Sequence, residues 1–176
     1  MPFRTRGLRG CVLEEWITRT NLVYQEESLA LVQKIPTPIK PMEINPIKRN
    51  ITLAYFEQKS TVDYLGVVQG VPICFDAKES KSLTYMLGNV HAHQMDFMTQ
   101  FEEQKGISFI LLRYTEKEEM YYLPFTFLKK VWDRMQTGGR KSFTYEELDV
   151  NYRVYTKGRY LVHYLENLQR DLENRE

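Results

Sequence analysis

Ser60-Thr-Val-Asp-Tyr-Leu-Gly-Val-Val-Gln-Gly-Val-Pro-Ile-Cys-Phe-Asp-Ala-Lys-Glu-Ser80 reads as a hairpin. Tyr64 to Val68 is one apolar run and Val71 to Phe75 is its partner, with Gly70 and Pro72 marking the reversal. Side chains alternate along a strand, so Asp76 and Lys78 share a side. Asp63 stands at the outer end of the first strand, and the hairpin carries it round to Asp76. Two carboxylates and an ammonium then share one patch. Two carboxylates suit Mg²⁺, a hard cation that takes oxygen ligands and keeps several waters. Such a metal polarises a phosphodiester and lowers the pKa of a bound water. The lysine orients that water or stabilises charge growing on the phosphate. A surface hairpin with charged ends carries the same residues, because the acid–acid-x-Lys spacing is loose.

On the N-terminal side of the hairpin, Ile51 to Phe56 and Leu29 to Ile35 read as strands. Pro36, Pro38, Pro41 and Pro46 lie between them. Proline fixes φ and lacks an N–H, so a helix is excluded and ordinary strand pairing is difficult. This segment is apolar and basic, with Lys34, Lys40, Lys48 and Arg49 against Glu43. Without glycine or serine it reads as a stiff protrusion over residues 36–50, or else as a long surface loop. Further back, Val12 to Glu27 carries Leu13, Trp16, Ile17, Thr20 and Val23 or Tyr24 at helical spacing. Glu14, Thr18 and Asn21 form a second, polar stripe. Glu14 is either a solvated helix residue or a third carboxylate for the metal. Arg4, Arg6 and Arg9 make residues 1–10 a basic arm, suited to a phosphate backbone or simply to solubility.

On the C-terminal side, Leu83 to Val90 reads as a loop and His91 to Lys105 as a helix ended by Gly106. Gln94 at that helix start is placed to reach the scissile phosphate. His91 and His93 suit zinc only with a third ligand, and His163 is far along the chain. Ile107 to Tyr114 is continuously apolar and reads as a buried central strand. Met120 to Leu123 follows as another strand, and Pro124 opens a helix through Met135. Lys129, Lys130 and Arg134 on that helix, with Arg140 and Lys141 in the next loop, are a basic patch opposed by Asp133. Thr144-x-x-Glu147 is a capping box, and Tyr160 to Asn174 an amphipathic helix. The order of elements predicts an α/β fold with a mixed central sheet flanked by helices, as one domain over residues 1–176.

The bulk numbers narrow the function classes. With 176 residues, 43% hydrophobic and 27% charged, the chain supports a proper core. A formal net charge of +1 gives no general attraction to nucleic acid, so DNA contact must come from local patches. Cys11 and Cys74 have no metal-ligand spacing and suit a reducing cytoplasm. Nothing in the sequence is long and apolar enough to span a membrane, so no membrane partner is expected.

Several stretches together resemble one family. They are Arg9-Gly10-Cys-Val-Leu13-Glu14, Pro36-Thr37-Pro38, Ala54-Tyr55-Phe56, Ser60-Thr61-Val62-Asp63-Tyr64 and Phe75-Asp76-Ala77-Lys78-Glu79. His93-Gln94, Gly106-Ile107-Ser-Phe109, Trp132-Asp133-Arg134 and Gly139-Arg140-Lys141-Ser142 complete the series. In this order, over roughly residues 9–160, they resemble the RecU Holliday junction resolvases of Gram-positive bacteria and their phages. The resemblance implies a restriction-endonuclease-like core of the PD-(D/E)xK class. It implies a homodimer that cuts two opposed strands of a four-way junction symmetrically, with Mg²⁺ or Mn²⁺, in recombination and repair. The protrusion is similar to the family's stalk, which enters the junction centre. By resemblance Asp63 and Asp76 are metal ligands with Thr61 beside them, Lys78 is the catalytic lysine, and Glu14 and Gln94 complete the site. Arg4, Arg6, Arg9, Lys34, Lys40, Lys48, Arg49, Arg140 and Lys141 are the candidate DNA contacts.

Two departures stand out. Asp76 occupies a place where the family usually has Glu, one methylene longer, and the segment before Arg9 is short for the family's basic arm. Two rival functions share these features: a non-catalytic junction binder, and a nuclease of the same fold acting on other branched DNA. Buried carboxylates repel phosphates unless a cation intervenes, which counts against the plain binder. A two-fold substrate calls for two sites related by two-fold symmetry. The apolar faces of the hairpin and of the strand at Ile51 are candidate dimer surfaces. A recombinase partner is part of the expectation.

Overall fold

The computed structural model describes residues 12–56 and 61–175. Its first half comprises α1 (Val12–Glu26), β1 (Ala30–Lys34), β2 (Ile39–Asn45), β3 (Asn50–Phe56), β4 (Tyr64–Val68) and β5 (Val71–Ser80). Then come β6 (Thr84–Met86), α2 (Ala92–Glu103), β7 (Ile107–Tyr114), β8 (Glu119–Pro124) and α3 (Phe125–Gln136). The chain closes with β9 (Ser142–Thr144), β10 (Arg153–Val154) and α4 (Leu165–Glu173).

The hairpin β4–β5 turns at Gln69 and Gly70, with φ of 47° and 89°. Two positive φ values give the primed turn whose twist matches the strands it joins. The reversal is therefore Gln69-Gly70, not Gly70 with Pro72. Pro72 lies inside β5 opposite Val67, just before Ile73 begins pairing with β7. That second partner carries β5 on to Ser80, paired in parallel from Ile73↔Ile107 to Ser80↔Tyr114. The main sheet runs β1-β4-β5-β7-β8-β10. The β1–β4, β4–β5, β7–β8 and β8–β10 pairs are antiparallel, so the sheet is mixed as expected.

Alternation along β5 and β7 splits the core in two. Leu13 and Ile17 of α1 and Leu168 of α4 pack with Phe75, Phe109 and Leu111 on one face. Met95 and Met98 of α2 and Leu128 and Val131 of α3 pack with Cys74, Ile110 and Leu112 on the other. Tyr64, Phe75, Phe109 and Tyr122 stack across four neighbouring strands, with ring centroids 4.7, 4.7 and 4.3 Å apart. Such cross-strand aromatic pairs fix register as well as stability.

Three local readings are corrected. The proline-rich segment does pair: β2 and β3 form their own two-stranded ribbon, with register shifts on either side of Glu43. A strand with one partner leaves half its N–H groups free, and Pro41 fits such an edge. Leu83 to Val90 is more than a loop, since Thr84–Met86 pairs with Ser142–Thr144 and Leu87–Asn89 forms a 3-10 turn. Residues 160–164 are not helical. The Val162 N–H donates to Thr20 Oγ1 (3.1 Å), and Val162 and Tyr164 both enter the core from the irregular segment ahead of α4.

Candidate active site

The pairing Tyr64↔Phe75 sets Asp63 opposite Asp76, as the hairpin predicts. The Asp63 N–H donates to Asp76 Oδ1 at 2.8 Å, and the Ala77 N–H donates to Asp63 Oδ2 at 2.9 Å. The two acids thus exchange backbone contacts across the strand ends. Asp76 is fully buried and shares its face of β5 with Lys78, whose Nζ lies 2.8 Å from Asp76 Oδ2. Gln94, in the first turn of α2, donates its Nε2 to the same oxygen at 2.5 Å. Its Oε1 accepts the His91 N–H, which clamps the amide at the helix start. Gln94 therefore acts on Asp76 in this arrangement.

Glu14 lies in the first turn of α1, where its Oε2 meets Lys34 Nζ at 2.5 Å. Tyr64 Oη donates to its carbonyl at 3.3 Å. Lys34 ends β1 opposite Tyr64, and the Ile35 N–H donates to the Asp63 carbonyl at 2.8 Å. The ribbon β2–β3 leaves the body directly from this contact. Thr61 is half-buried, two residues before Asp63.

Burial and charge together set the protonation of the site. Burial and then the Asp76 anion push Asp63 up to about 6, with Glu14 adding to the rise. The Ala77 N–H and Lys78 oppose it. Two carboxylates held together against their repulsion fit a hard divalent cation. Asp63 Oδ1 takes no hydrogen bond from the described residues, so it has a lone pair to offer. Among the described residues no cluster of three His, Cys, Asp or Glu side chains is gathered for a metal. Two carboxylates are a sparse donor set, which a hard divalent cation completes with its own waters. His91 and His93 stack on one another at 5.4 Å instead of converging on a zinc site.

The candidate DNA contacts fall in separate regions. Lys40 is on β2, and Lys48 and Arg49 are in the ribbon turn, all exposed. Arg140 and Lys141 precede β9. Arg134 and Arg140 both pair with Glu147, each at 2.7 Å, and Lys129 pairs with Asp133. The basic patch is thus opposed by Glu147 as well as Asp133. Reading Glu147 only as a cap missed this, although its Oε1 does accept the Thr144 N–H. Arg4, Arg6 and Arg9 lie outside the described residues.

Comparison with known proteins now bears on this geometry. The sequence profile of the family described as recombination protein U, RecU, matches residues 8–170. The chain belongs to the RecU family. A relative named Holliday junction resolvase RecU, from Staphylococcus epidermidis, is 40% identical over 149 residues, spanning 82% of this chain and 72% of that one. A second of the same name, from Geobacillus, is 40% identical over 153 residues, 84% of this chain and 76% of the relative. A third, from Oceanobacillus iheyensis, is 42% identical over 142 residues, 78% and 72%. Among solved structures, Archaeoglobus fulgidus Hjc, described as a Holliday junction resolvase, aligns with a TM-score of 0.40 and 11% identity. That alignment covers 66% of this chain and 78% of Hjc. The matched RecU residues span α1, the ribbon, the hairpin and α2, so every described residue of the candidate site lies inside the family region.

Proposed function

We propose that this protein is a divalent-metal-dependent endonuclease that resolves four-way DNA junctions by paired, symmetric nicks. The observation that carries the reading is the constellation of Asp63, Asp76 and Lys78, locked together by Gln94, in a chain of the RecU family. Asp63 and Asp76 would hold Mg²⁺, with Mn²⁺ as a substitute and Thr61 at the rim. When bound, the cation supplies Lewis acidity toward the phosphodiester and acidifies a coordinated water.

The chain's own residues do the rest. Lys78 places a positive charge beside the phosphate and orients the attacking water. Gln94 keeps Asp76 facing Asp63. Glu14 adds negative charge on the α1 side and holds Lys34 at the root of the ribbon. The ribbon is the stalk: it would enter the open centre of the junction, with Lys40, Lys48 and Arg49 toward phosphates. A linear duplex has no such opening. Arg140, Lys141 and the N-terminal arm would follow the arms of the junction. Two opposed cuts call for a two-fold homodimer. Among the described residues no helix is long and apolar enough to cross a membrane.

The test uses a labelled four-way junction and a linear duplex of the same sequence, each with Mg²⁺, with Mn²⁺ and with EDTA. Symmetric nicks on the junction alone, lost with EDTA and in Asp63→Ala, are expected. Tight junction binding without cleavage under either metal would leave a non-catalytic binder. Equal cutting of the duplex would keep the nuclease and remove the junction.

A further inference from the structure

The polar stripe of α1 runs on past Glu14. Thr18, Asn21 and Gln25 follow it at spacings of three or four residues, so they share one helix face. That face borders a cleft of about 70 Å³ between α1 and β1, lined by Thr18, Asn21, Gln25, Val32, Lys34 and Tyr64. The cleft lies beside the candidate active site. Tyr64 follows Asp63 and pairs with Lys34, whose Nζ reaches Glu14 Oε2 at 2.5 Å. Thr18 Oγ1 donates to the Glu14 carbonyl at 2.8 Å.

Asn21 is the group in this cleft whose direction is fixed. It is buried, and its Oδ1 lies 2.6 Å from the hydroxyl of Tyr164, which is fully buried in the core. Tyr164 has no other acceptor for its proton among the described residues, so the hydroxyl donates to Oδ1. The amide Nδ2 is thereby turned away from the core. It bonds to no described residue and is not sealed from solvent, so its hydrogens face the cleft that Asn21 lines. The lining thus combines amide groups with the Lys34 ammonium and, among the described residues, no carboxylate. Such groups are the ones that contact phosphate in DNA complexes. The volume suits the oxygens of one phosphate, displacing about two waters at ~30 Å³ each. We propose that this cleft is a subsite for a phosphate next to the scissile one on the cut strand, bound by the Asn21 amide and Lys34. The proposal rests on the reading of Asp63 and Asp76 as the cutting centre. Without DNA, Lys34 pairs with Glu14; with DNA in place the same ammonium turns to the phosphate. Tyr164 holds the amide ready from the core, so the subsite helps to set which linkage reaches the carboxylates.

The cut is first mapped with wild type and Mg²⁺ on a four-way junction. A single neutral methylphosphonate is then placed at each linkage flanking it, and junction affinity is measured in EDTA. Wild type should lose about tenfold at one flanking linkage, the size of one hydrogen bond to a charged group. Asn21→Asp keeps the oxygen that Tyr164 needs and replaces the amide donor with an acceptor. It should bind the all-phosphate junction about tenfold more weakly and recover affinity when that one linkage is neutral. A substitution acting only through the fold lowers affinity by the same factor at every linkage, and that result would overturn the proposal. Should Asn21→Asp fail to fold, Lys34→Gln carries the test. It should lose its response to methylphosphonate at the subsite linkage and keep the wild-type response elsewhere; an unchanged response at every linkage would overturn the proposal. No cutting by wild type removes the nuclease reading and the subsite with it. Cutting without a linkage-specific response overturns the subsite alone.

Discussion

Asp63 and Asp76 face one another, yet their roles in stability oppose. Asp63 is pushed up to about 6 from its ordinary 3.8, so the fold favours its protonated form. The linkage sign follows: this contribution is fully present below about pH 4 and is lost as pH rises through about 6. Two units correspond to about 3 kcal/mol, an upper figure for a partly solvated group. Asp63→Asn keeps an oxygen for the Ala77 N–H and removes the charge. Without metal it should be more stable than wild type at pH 7.5 by about 2 kcal/mol, and equal to it near pH 4. Urea unfolding at both pH values checks this, and equal stability at pH 7.5 would contradict it. Asp76→Ala should do the reverse. It strands the Asp63 N–H, Lys78 and Gln94, and breaking a buried pair costs about 3–5 kcal/mol. Both variants should lose cleavage, so opposite stability changes separate repulsion from support at one site.

At the scale of elements, the hairpin was legible because strand alternation and a turn dictate which residues meet. The same reasoning failed for the ribbon, where four prolines counted against pairing. An isolated two-stranded unit has free edges that absorb them, and that depends on the absence of neighbours, not on local sequence. It failed again at 160–164, where Thr20, distant in sequence, takes the Val162 N–H in place of a helix bond. Among the described residues the ribbon pairs only with itself, so its surface can be changed without touching the main sheet. Lys40→Gln with Lys48→Gln and Arg49→Asn should leave the thermal midpoint unchanged; Asn suits the φ of 52° at position 49. Junction affinity should fall more than duplex affinity, and its salt slope should flatten by about 0.9 per lost phosphate contact. Equal losses on both substrates would deny the ribbon its place in the junction. The loop before β9 behaves differently, since Glu147 restrains Arg134 and Arg140 there. Glu147→Gln keeps an acceptor for the Thr144 N–H and frees both guanidinium groups. It should tighten duplex and junction binding together by a few fold at low salt, and cost at most about 1 kcal/mol of stability. A fluorescence anisotropy salt series reads this, and unchanged affinity would remove the loop from the DNA surface.

For the whole molecule, the sheet joins catalysis to shape. The Ile35 N–H bonded to the Asp63 carbonyl ties the ribbon's root to the backbone of a site residue. On the proposed reading, the element that enters the junction centre also fixes where one strand is cut. A second cut at the symmetric position needs a second copy, because one chain holds one pair of carboxylates. Exposed Leu31 and Val67 on the β1–β4 edge, and Ile51, Leu53 and Tyr55 along the ribbon, are apolar surfaces that a copy could cover. The sequence singled out the hairpin and Ile51 as candidates, but only the fold reveals that Leu31 joins Val67 through the pairing Leu31↔Val67. The proposed dimer has a kinetic signature that needs no interface residue to be known. Wild type unfolded and refolded together with excess Asp63→Asn should form mixed dimers with one competent site. On a junction carried in a supercoiled plasmid these should yield nicked circles, whereas wild-type dimers yield linear product from two cuts within one binding event. If each chain acts alone, diluting wild type with Asp63→Asn would slow both products and leave their ratio fixed when compared at equal substrate conversion. A ratio shifting toward nicked circles as the mutant fraction rises is the result that two coupled sites require.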